Sequence, residues 1–195
     1  MDIVTLLILI TVVIYILPYI IPFSGPTIDS FTNFLMTFWQ EKDRILSGEW
    51  YRLVTSIFLH GSVLHIFMNM YTLWSSRNSL TILGDLLVPR NVRGPNNSLV
   101  FIIVYLVTGI CGNLLSMFFS KTPSVGASGA ILGLFGYITA FGIVTNNSSI
   151  ISAMLVNIFI LAIIGFTVPN IDNWAHAGGF LSGVLLYFIM FNLVK

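Results

Sequence analysis

The chain has 195 residues, of which 56% are hydrophobic and only 8% charged, and its net charge is +1. A soluble domain carries about 25% charged residues, so this composition excludes a soluble globular protein and indicates a polytopic membrane protein. The near-neutral balance offers no basic surface for nucleic acid and no acidic tail for a cationic partner. The single cysteine, Cys111, lies in an apolar run, where we expect it to fill space in the core.

Six apolar segments are long enough to cross a bilayer, which takes about 20 residues. Their approximate bounds are 3–21, 56–74, 99–119, 127–144, 150–168 and 174–194. The first has no basic leader and exceeds the roughly 7–15 apolar residues of a signal peptide, so we expect it to be retained as a helix. Together the segments predict one all-α membrane domain over residues 1–195.

The segment 22–55, between the first two spans, combines charged residues with aromatic rings. It contains "QEKDR" and "GEWYR", together with Trp39, Trp50 and Tyr51. Such rings favour the membrane–water boundary, so we expect short amphipathic helices at the interface rather than a disordered linker. Lys and Arg residues divide evenly between the two sides of a six-span bundle, and charge alone therefore does not orient the chain.

All three histidines fall in predicted spans, where a polar group is costly and usually faces the protein interior. His65 and Asn69, in the second span, are one turn apart and can point at a common acceptor. If that span is a helix from residue 56, His60 lies about 140° around it from His65 and faces elsewhere. His176 opens the sixth span. Buried hydrogen bonds that hold helices together are the alternative interpretation of these polar groups.

The fourth and sixth spans each place glycines along one helix face, and in the sixth span that face also carries His176. The residues are Gly129, Gly133 and Gly136 in the fourth span and His176, Gly179 and Gly183 in the sixth. Two glycine faces permit close approach of helix backbones. If these faces meet, Ser128 and His176 come to the same depth, because alternate spans begin on the same side of the membrane.

A serine paired with a histidine is the minimum arrangement for nucleophilic catalysis. The hydroxyl becomes a nucleophile when a neighbouring base takes its proton, and a neutral imidazole does this near neutral pH. The resulting oxyanion needs fixed donors, which the Ser128 backbone N–H at a helix N-terminus and the side chains of His65 and Asn69 can supply. Gly126 and Gly129 allow the backbone to approach a scissile bond closely.

Other chemistries fit the sequence less well. A zinc protease requires H-E-x-x-H, and no glutamate adjoins a histidine here. An intramembrane aspartyl protease requires G-x-G-D, and "ILGD" lacks its first glycine. A channel would not explain a serine and a histidine at the starts of two helices. Ser120 and Ser124 precede the fourth span without flanking glycines, so we interpret them as loop residues. We expect no metal and no nucleotide cofactor.

Four motifs, in this order along the chain, resemble those of the rhomboid family of intramembrane serine proteases. They are "GEWYRLVTSIFLH", the spacing H-x4-H-x3-N from His60 to Asn69, "GASG" at the start of the fourth span, and "AHAGGFLSG" in the sixth. The resemblance implies a six-helix rhomboid-like bundle whose first loop lies partly in the membrane. It also implies an endopeptidase that cleaves transmembrane segments through an acyl-enzyme.

The resemblance further implies a role for each matching residue. Ser128 would be the nucleophile and His176 the general base, with His65, Asn69 and the Ser128 amide as the oxyanion site. Supporting roles would fall to Arg52, His60, Gly126, Gly129, Gly179 and Gly183. Asp172, four residues before His176, is an alternative third member of a triad. The family often has an aromatic residue four positions after the serine, and this chain has Leu132.

The implied partners are single-span membrane-protein substrates and the lipid bilayer. The fifth span would be the mobile gate, and the active site would open to the non-cytoplasmic side of a prokaryotic cell membrane. A catalytically inactive rhomboid-like protein that binds transmembrane helices is the alternative function. Such relatives lose the serine or the histidine, and both are present here.

Overall fold

The computed structural model describes residues 1–75, 77, 97–168 and 171–193. The helices in these ranges are α1 (Ile3–Ile20), α2 (Ser30–Phe38), α3 (Lys42–Leu46), α4 (Arg52–Thr55), α5 (Val63–Ser75), α6 (Asn97–Phe119), α7 (Ser128–Val144), α8 (Ser148–Thr167) and α9 (Asn173–Leu193), with a 3-10 turn at Ser56–Phe58. One isolated antiparallel bridge joins Gln40 to Ser124. The all-α prediction is confirmed for the described residues.

Four of these helices, α1, α6, α8 and α9, are long and apolar enough to cross a membrane. The segments Arg52–Phe58 and Val63–Ser75 form a fifth candidate, broken by a bend of 89°. Helix α7 has 17 residues and is about 25 Å long at about 1.5 Å per residue, short of the roughly 30 Å hydrocarbon core. Because most of its residues are buried by other helices, α7 does not need to span the lipid by itself.

The predicted second span is wrong at its beginning. Residues 59–62 are not helical, and α5 starts at Val63, where the Ser62 hydroxyl accepts a hydrogen bond from the His65 amide at 3.2 Å. His60 therefore precedes the helix, and the 140° separation does not apply. Its ring contacts His65 edge-on, with centroids 4.9 Å apart. The sequence signal was the pair Gly61–Ser62, since serine commonly caps a helix.

The expected short helices between the first two spans are present as α2, α3 and α4. The buried guanidinium of Arg52 joins α4 to the end of α2, because it donates to the backbone oxygens of Met36 at 3.1 Å and Trp39 at 3.0 Å. Its charge is balanced by the Glu49 carboxylate at 2.7 Å. Glu49 also accepts a hydrogen bond from the Tyr51 hydroxyl at 2.8 Å. This network fixes the first loop against the start of the broken span.

Acidification is expected to loosen this loop through Glu49. The hydrogen bond from Tyr51, and after it the one from Arg52, lowers the pKa of the Glu49 carboxyl. The stabilisation is therefore complete above the ordinary carboxyl pKa of about 4.3 and is lost as the pH falls through the lower, folded-state pKa. Glu49→Gln is expected to flatten the fall in melting temperature between about pH 5 and about pH 3. Thermal unfolding of the purified protein in detergent measures this.

The matched control for this prediction is Glu41→Gln. Glu41 pairs with Arg44 at 3.3 Å, and both side chains are substantially exposed. Glu41 also accepts a hydrogen bond from Trp39 Nε1 at 2.9 Å, which a glutamine side-chain oxygen can still accept. Exposed pairs contribute little to stability, so this variant should keep the wild-type dependence on pH. If the melting temperature of Glu49→Gln fell with pH as it does in the wild type, the contribution of Arg52 to stability would not depend on the Glu49 carboxylate.

Helix α7 lies at the centre of the bundle and packs most closely on α9. A Cβ added at Gly179 would overlap the Gly129 carbonyl oxygen, and one at Gly183 would overlap that of Gly133. Gly136 likewise lies against the backbone of Phe180. The predicted contact between the two glycine faces is confirmed. Because backbone touches backbone along this interface, the first turns of α7 and α9 are held side by side.

Candidate active site

Ser128 and His176 lie next to each other at the starts of α7 and α9. The Ser128 Oγ is 2.7 Å from His176 Nε2, although 48 positions separate the residues in sequence. In the tautomer that carries its proton on Nδ1, His176 Nε2 accepts a hydrogen bond from the serine hydroxyl. The structure therefore brings together the two residues that the sequence pattern singled out.

The turn before Ser128 is held by the broken span. Gly126 has a φ of +130°, which a residue with a side chain rarely adopts, and its amide donates to the Ser56 carbonyl at 2.9 Å. The Ala127 amide points to His60 Nε2 at 3.5 Å. Among the described residues, the Ser128 amide has no acceptor. This leaves an N–H group at the helix N-terminus available to an incoming carbonyl oxygen.

His65 faces the same turn, and Asn69 lies one helical turn after His65 on α5. A Cβ on Gly126 would lie 2.8 Å from His65 Nε2 and 3.9 Å from Ser128 Oγ, so only glycine leaves room for the ring there. The buried Asn69 side chain donates one hydrogen bond to the His65 carbonyl at 3.0 Å. A carboxamide has a second N–H. The His65 ring therefore lies beside Ser128, whereas the Asn69 side chain is placed by its bond to the backbone of α5.

Asp172 holds the first turn of α9. Its Oδ1 accepts hydrogen bonds from the amides of Trp174 at 3.1 Å and Ala175 at 3.0 Å, and its Oδ2 accepts one from the Ser116 hydroxyl of α6. The carboxylate thus caps the helix and joins α9 to α6. Its oxygens have these three donors, which favours a positioning role over that of a third member of a triad with His176.

Asp172→Asn is therefore expected to keep most of any activity of the Ser128–His176 pair, because the amide oxygen can still cap α9. In a serine-protease triad, the same change lowers kcat about 10⁴-fold. Asp172→Ala is expected to lower stability by about 1–2 kcal/mol through the lost cap. Cleavage kinetics and thermal unfolding of the two variants measure this. A loss of about 10⁴-fold in Asp172→Asn would assign the triad role to Asp172.

Several buried polar residues support the site and were not predicted from the sequence. Asn113 of α6 donates to the Leu53 carbonyl at 2.8 Å and to Ser56 Oγ at 2.9 Å. The side chain and backbone of Gln40 bond the backbone of Ser124, just before the turn that leads to Ser128. Ser116 and Asn113 stand in an apolar run, and that placement was the available signal. In the described ranges no cluster of three or more His, Cys, Asp or Glu side chains could hold a metal.

The fold and this residue pair define a polytopic helical membrane protein with a serine and a histidine at the starts of two closely packed helices. The Rhomboid domain matches residues 47–193, so the chain belongs to the rhomboid family. It is similar to Rhomboid protease GluP of Bacillus subtilis (strain 168), with 36% identity over 148 residues. RHOMBOID-like protein 6, mitochondrial, of Arabidopsis thaliana is 35% identical over 179 residues. RHOMBOID-like protein 1 of the same plant is 37% identical over 153 residues.

These matches cover most of this chain but only part of each relative. The match with GluP covers 74% of this chain and 27% of GluP. The match with RHOMBOID-like protein 6 covers 87% of this chain and 52% of that protein. The match with RHOMBOID-like protein 1 covers 72% of this chain and 34% of that protein. The chain therefore spans at most about half the length of these relatives. The match includes the broken span, α7 and α9, which carry the candidate site.

Proposed function

We propose that this rhomboid-family protein is an intramembrane serine endopeptidase, with Ser128 as nucleophile and His176 as general base. The observation that carries the proposal is the 2.7 Å contact between Ser128 Oγ and His176 Nε2. A neutral imidazole at that distance can take the hydroxyl proton as the oxygen attacks a carbonyl carbon. A catalytically inactive protein that binds transmembrane helices would have no need of this pairing.

In the first step, Ser128 Oγ forms a bond to the carbonyl carbon of the scissile peptide while its proton passes to His176 Nε2. The tetrahedral oxyanion is stabilised by the free Ser128 amide, with His65 and Asn69 as further donors. The C–N bond then breaks as His176 returns the proton to the leaving amine, which produces the acyl-enzyme. Water, deprotonated by His176, attacks the ester, and the serine is restored with its proton.

The remaining residues of the site position the Ser128–His176 pair. Gly126 makes room for His65 beside the nucleophile, and His60 lies against the turn that carries Ser128. Gly129, Gly179 and Gly183 let α7 and α9 approach closely enough for the pair to form. Arg52 fixes the first loop. No metal or nucleotide takes part in these steps.

The substrates we propose are single-span membrane proteins whose helix is locally destabilised near the membrane surface. A substrate helix would reach Ser128 from the bilayer by displacing α8, and the active site would open to the non-cytoplasmic side of a prokaryotic cell membrane. Helix α8 supports this path because it is the least enclosed of the long helices, with Met154 and Gly165 as its buried residues.

The proposal is tested by reconstituting the protein in liposomes with a single-span test substrate. Wild-type protein is expected to release two fragments, cut within or beside the transmembrane segment, while His176→Ala binds the substrate without cutting it. Mass spectrometry of the fragments identifies the bond. Stable binding of substrates by wild-type protein without cleavage of any of a panel of single-span substrates would favour the inactive binding protein.

A further inference from the structure

The C-terminal end of α8 lies against the ring of His176. A Cβ added at Gly165 would lie 3.5 Å from His176 Nδ1, the ring nitrogen that does not face Ser128, and would overlap Asn173 Oδ1. Asn173 begins α9 and donates a hydrogen bond from Nδ2 to the Gly165 carbonyl at 2.9 Å. A backbone segment of α8 therefore lies near the edge of the histidine that is turned away from the nucleophile.

Apart from this end, α8 is weakly attached to the bundle. It packs chiefly on α7, and Met154 and Gly165 are its buried residues. Within the described part of the chain, the bond from Asn173 to Gly165 is the one hydrogen bond that joins α8 to another helix. A movement of α8 away from α9 therefore breaks this bond and withdraws Gly165 from the histidine ring in the same step.

Among the described residues, Ser128 Oγ is the one hydrogen-bond partner of the His176 ring. Asp172 is occupied by the amides of α9 and by Ser116, and Leu132, one turn beyond Ser128, has no polar side-chain atom. The terminal torsion of a histidine side chain is broad, so a ring held at one edge alone can turn. Gly165, close to the Nδ1 edge, leaves little room for that rotation while Nε2 faces Ser128.

We propose that Asn173 is a positioning residue that couples the seating of α8 to the alignment of His176 with Ser128. With the bond to Gly165 made, the ring is confined between α8 and the nucleophile. With α8 displaced, the ring is released and the pair loses its geometry. This inference rests on the proposed function of the Ser128–His176 pair. It adds that a substrate which displaces α8 is cut only after α8 has closed again.

The first test compares Asn173→Ala and Gly165→Ala with wild-type protein. Reaction with a small fluorophosphonate, which needs no displacement of α8, is expected to slow about 10-fold, since small misplacements of catalytic groups cost large factors in rate. For a transmembrane substrate, kcat is expected to fall by the same factor while KM does not rise. The matched control is Asn157→Ala in the middle of α8, because Asn157 donates only to Ala153 of its own helix.

The second test measures the position of α8 and does not depend on proteolysis. Spin labels are placed at Leu64→Cys on α5 and Ile163→Cys on α8, two exposed positions, with Cys111→Ala removing the native thiol. Asn173→Ala is expected to lengthen and broaden the distance between the labels. Asn157→Ala should leave it unchanged.

The outcomes separate the inference from the function on which it rests. A wild-type protein that neither reacts with fluorophosphonate nor cleaves contradicts the proposed function. A reactive wild type with unchanged rates in Asn173→Ala contradicts the positioning role alone. Slower reaction of Asn173→Ala without any change in the α8 distance contradicts the coupling, because it would place the effect of Asn173 within α9.

Discussion

Ser128→Ala is expected to abolish proteolysis and leave the fold intact. Removing the nucleophile of a serine protease lowers kcat about 10⁶-fold, which is below detection in a liposome assay. The hydroxyl is half-buried and contacts the ring of His176, so its loss leaves no large cavity. Cleavage of a single-span substrate and thermal unfolding of the same sample measure both parts of the prediction.

The matched control for this variant is Ser124→Ala. Ser124 precedes the same helix, and its backbone, rather than its hydroxyl, makes the bridge to Gln40. Its replacement is expected to leave cleavage close to the wild-type rate. Full activity in Ser128→Ala, or loss of activity only in Ser124→Ala, would show that the nucleophile has been assigned to the wrong serine.

Gly179→Ala is expected to separate α7 from α9 and to cost both stability and activity. The added Cβ would overlap the carbonyl oxygen of Gly129, and that oxygen belongs to a helix backbone that cannot rotate away. Overpacking of this kind costs about 1–3 kcal/mol. A displacement of about 1 Å between catalytic groups lowers the rate about 100-fold. The melting temperature and kcat are therefore expected to fall together.

Gly61→Ala is the control for the loss of a glycine. The atom nearest to a Cβ at Gly61 is Val125 Cγ2 at 4.0 Å, an ordinary contact. This variant is expected to keep the wild-type melting temperature. If Gly179→Ala also kept it, the close contact between the helix backbones would not be what holds Ser128 beside His176.

The spacing of the glycines predicted which faces of the two helices could approach closely, because helix periodicity determines which residues share a face. Residues three and four apart share a helix face, so Gly129 and Gly133 had to lie on one side of α7 and Gly179 and Gly183 on one side of α9. Alternating spans then brought the two helix starts to one side of the membrane. The structure confirms that the two faces meet, in the overlaps between these glycines.

Helix periodicity did not predict the interruption of the second span before Val63. Residues 56–62 are apolar enough to continue a helix, but the helix is interrupted there. The carbonyl of Ser56 instead accepts a hydrogen bond from the amide of Gly126. A contact between residues so distant in sequence leaves no periodic pattern. The same holds for Asn113, whose two hydrogen bonds reach the broken span. The partner of Asn173 is only eight positions away, but it is a backbone carbonyl of the preceding helix α8, and helix periodicity does not predict a bond between two helices.

The proposed function depends on the activation of Ser128 by His176 for attack on a carbonyl or phosphoryl centre. The most direct measurement is the site of fluorophosphonate modification, determined by mass spectrometry of the digested protein in its wild-type and His176→Ala forms. The expected result is a single adduct on Ser128 in the wild-type protein and none in His176→Ala. An adduct on another serine, or equal modification of Ser128 without the histidine, would contradict the activation of Ser128 by His176.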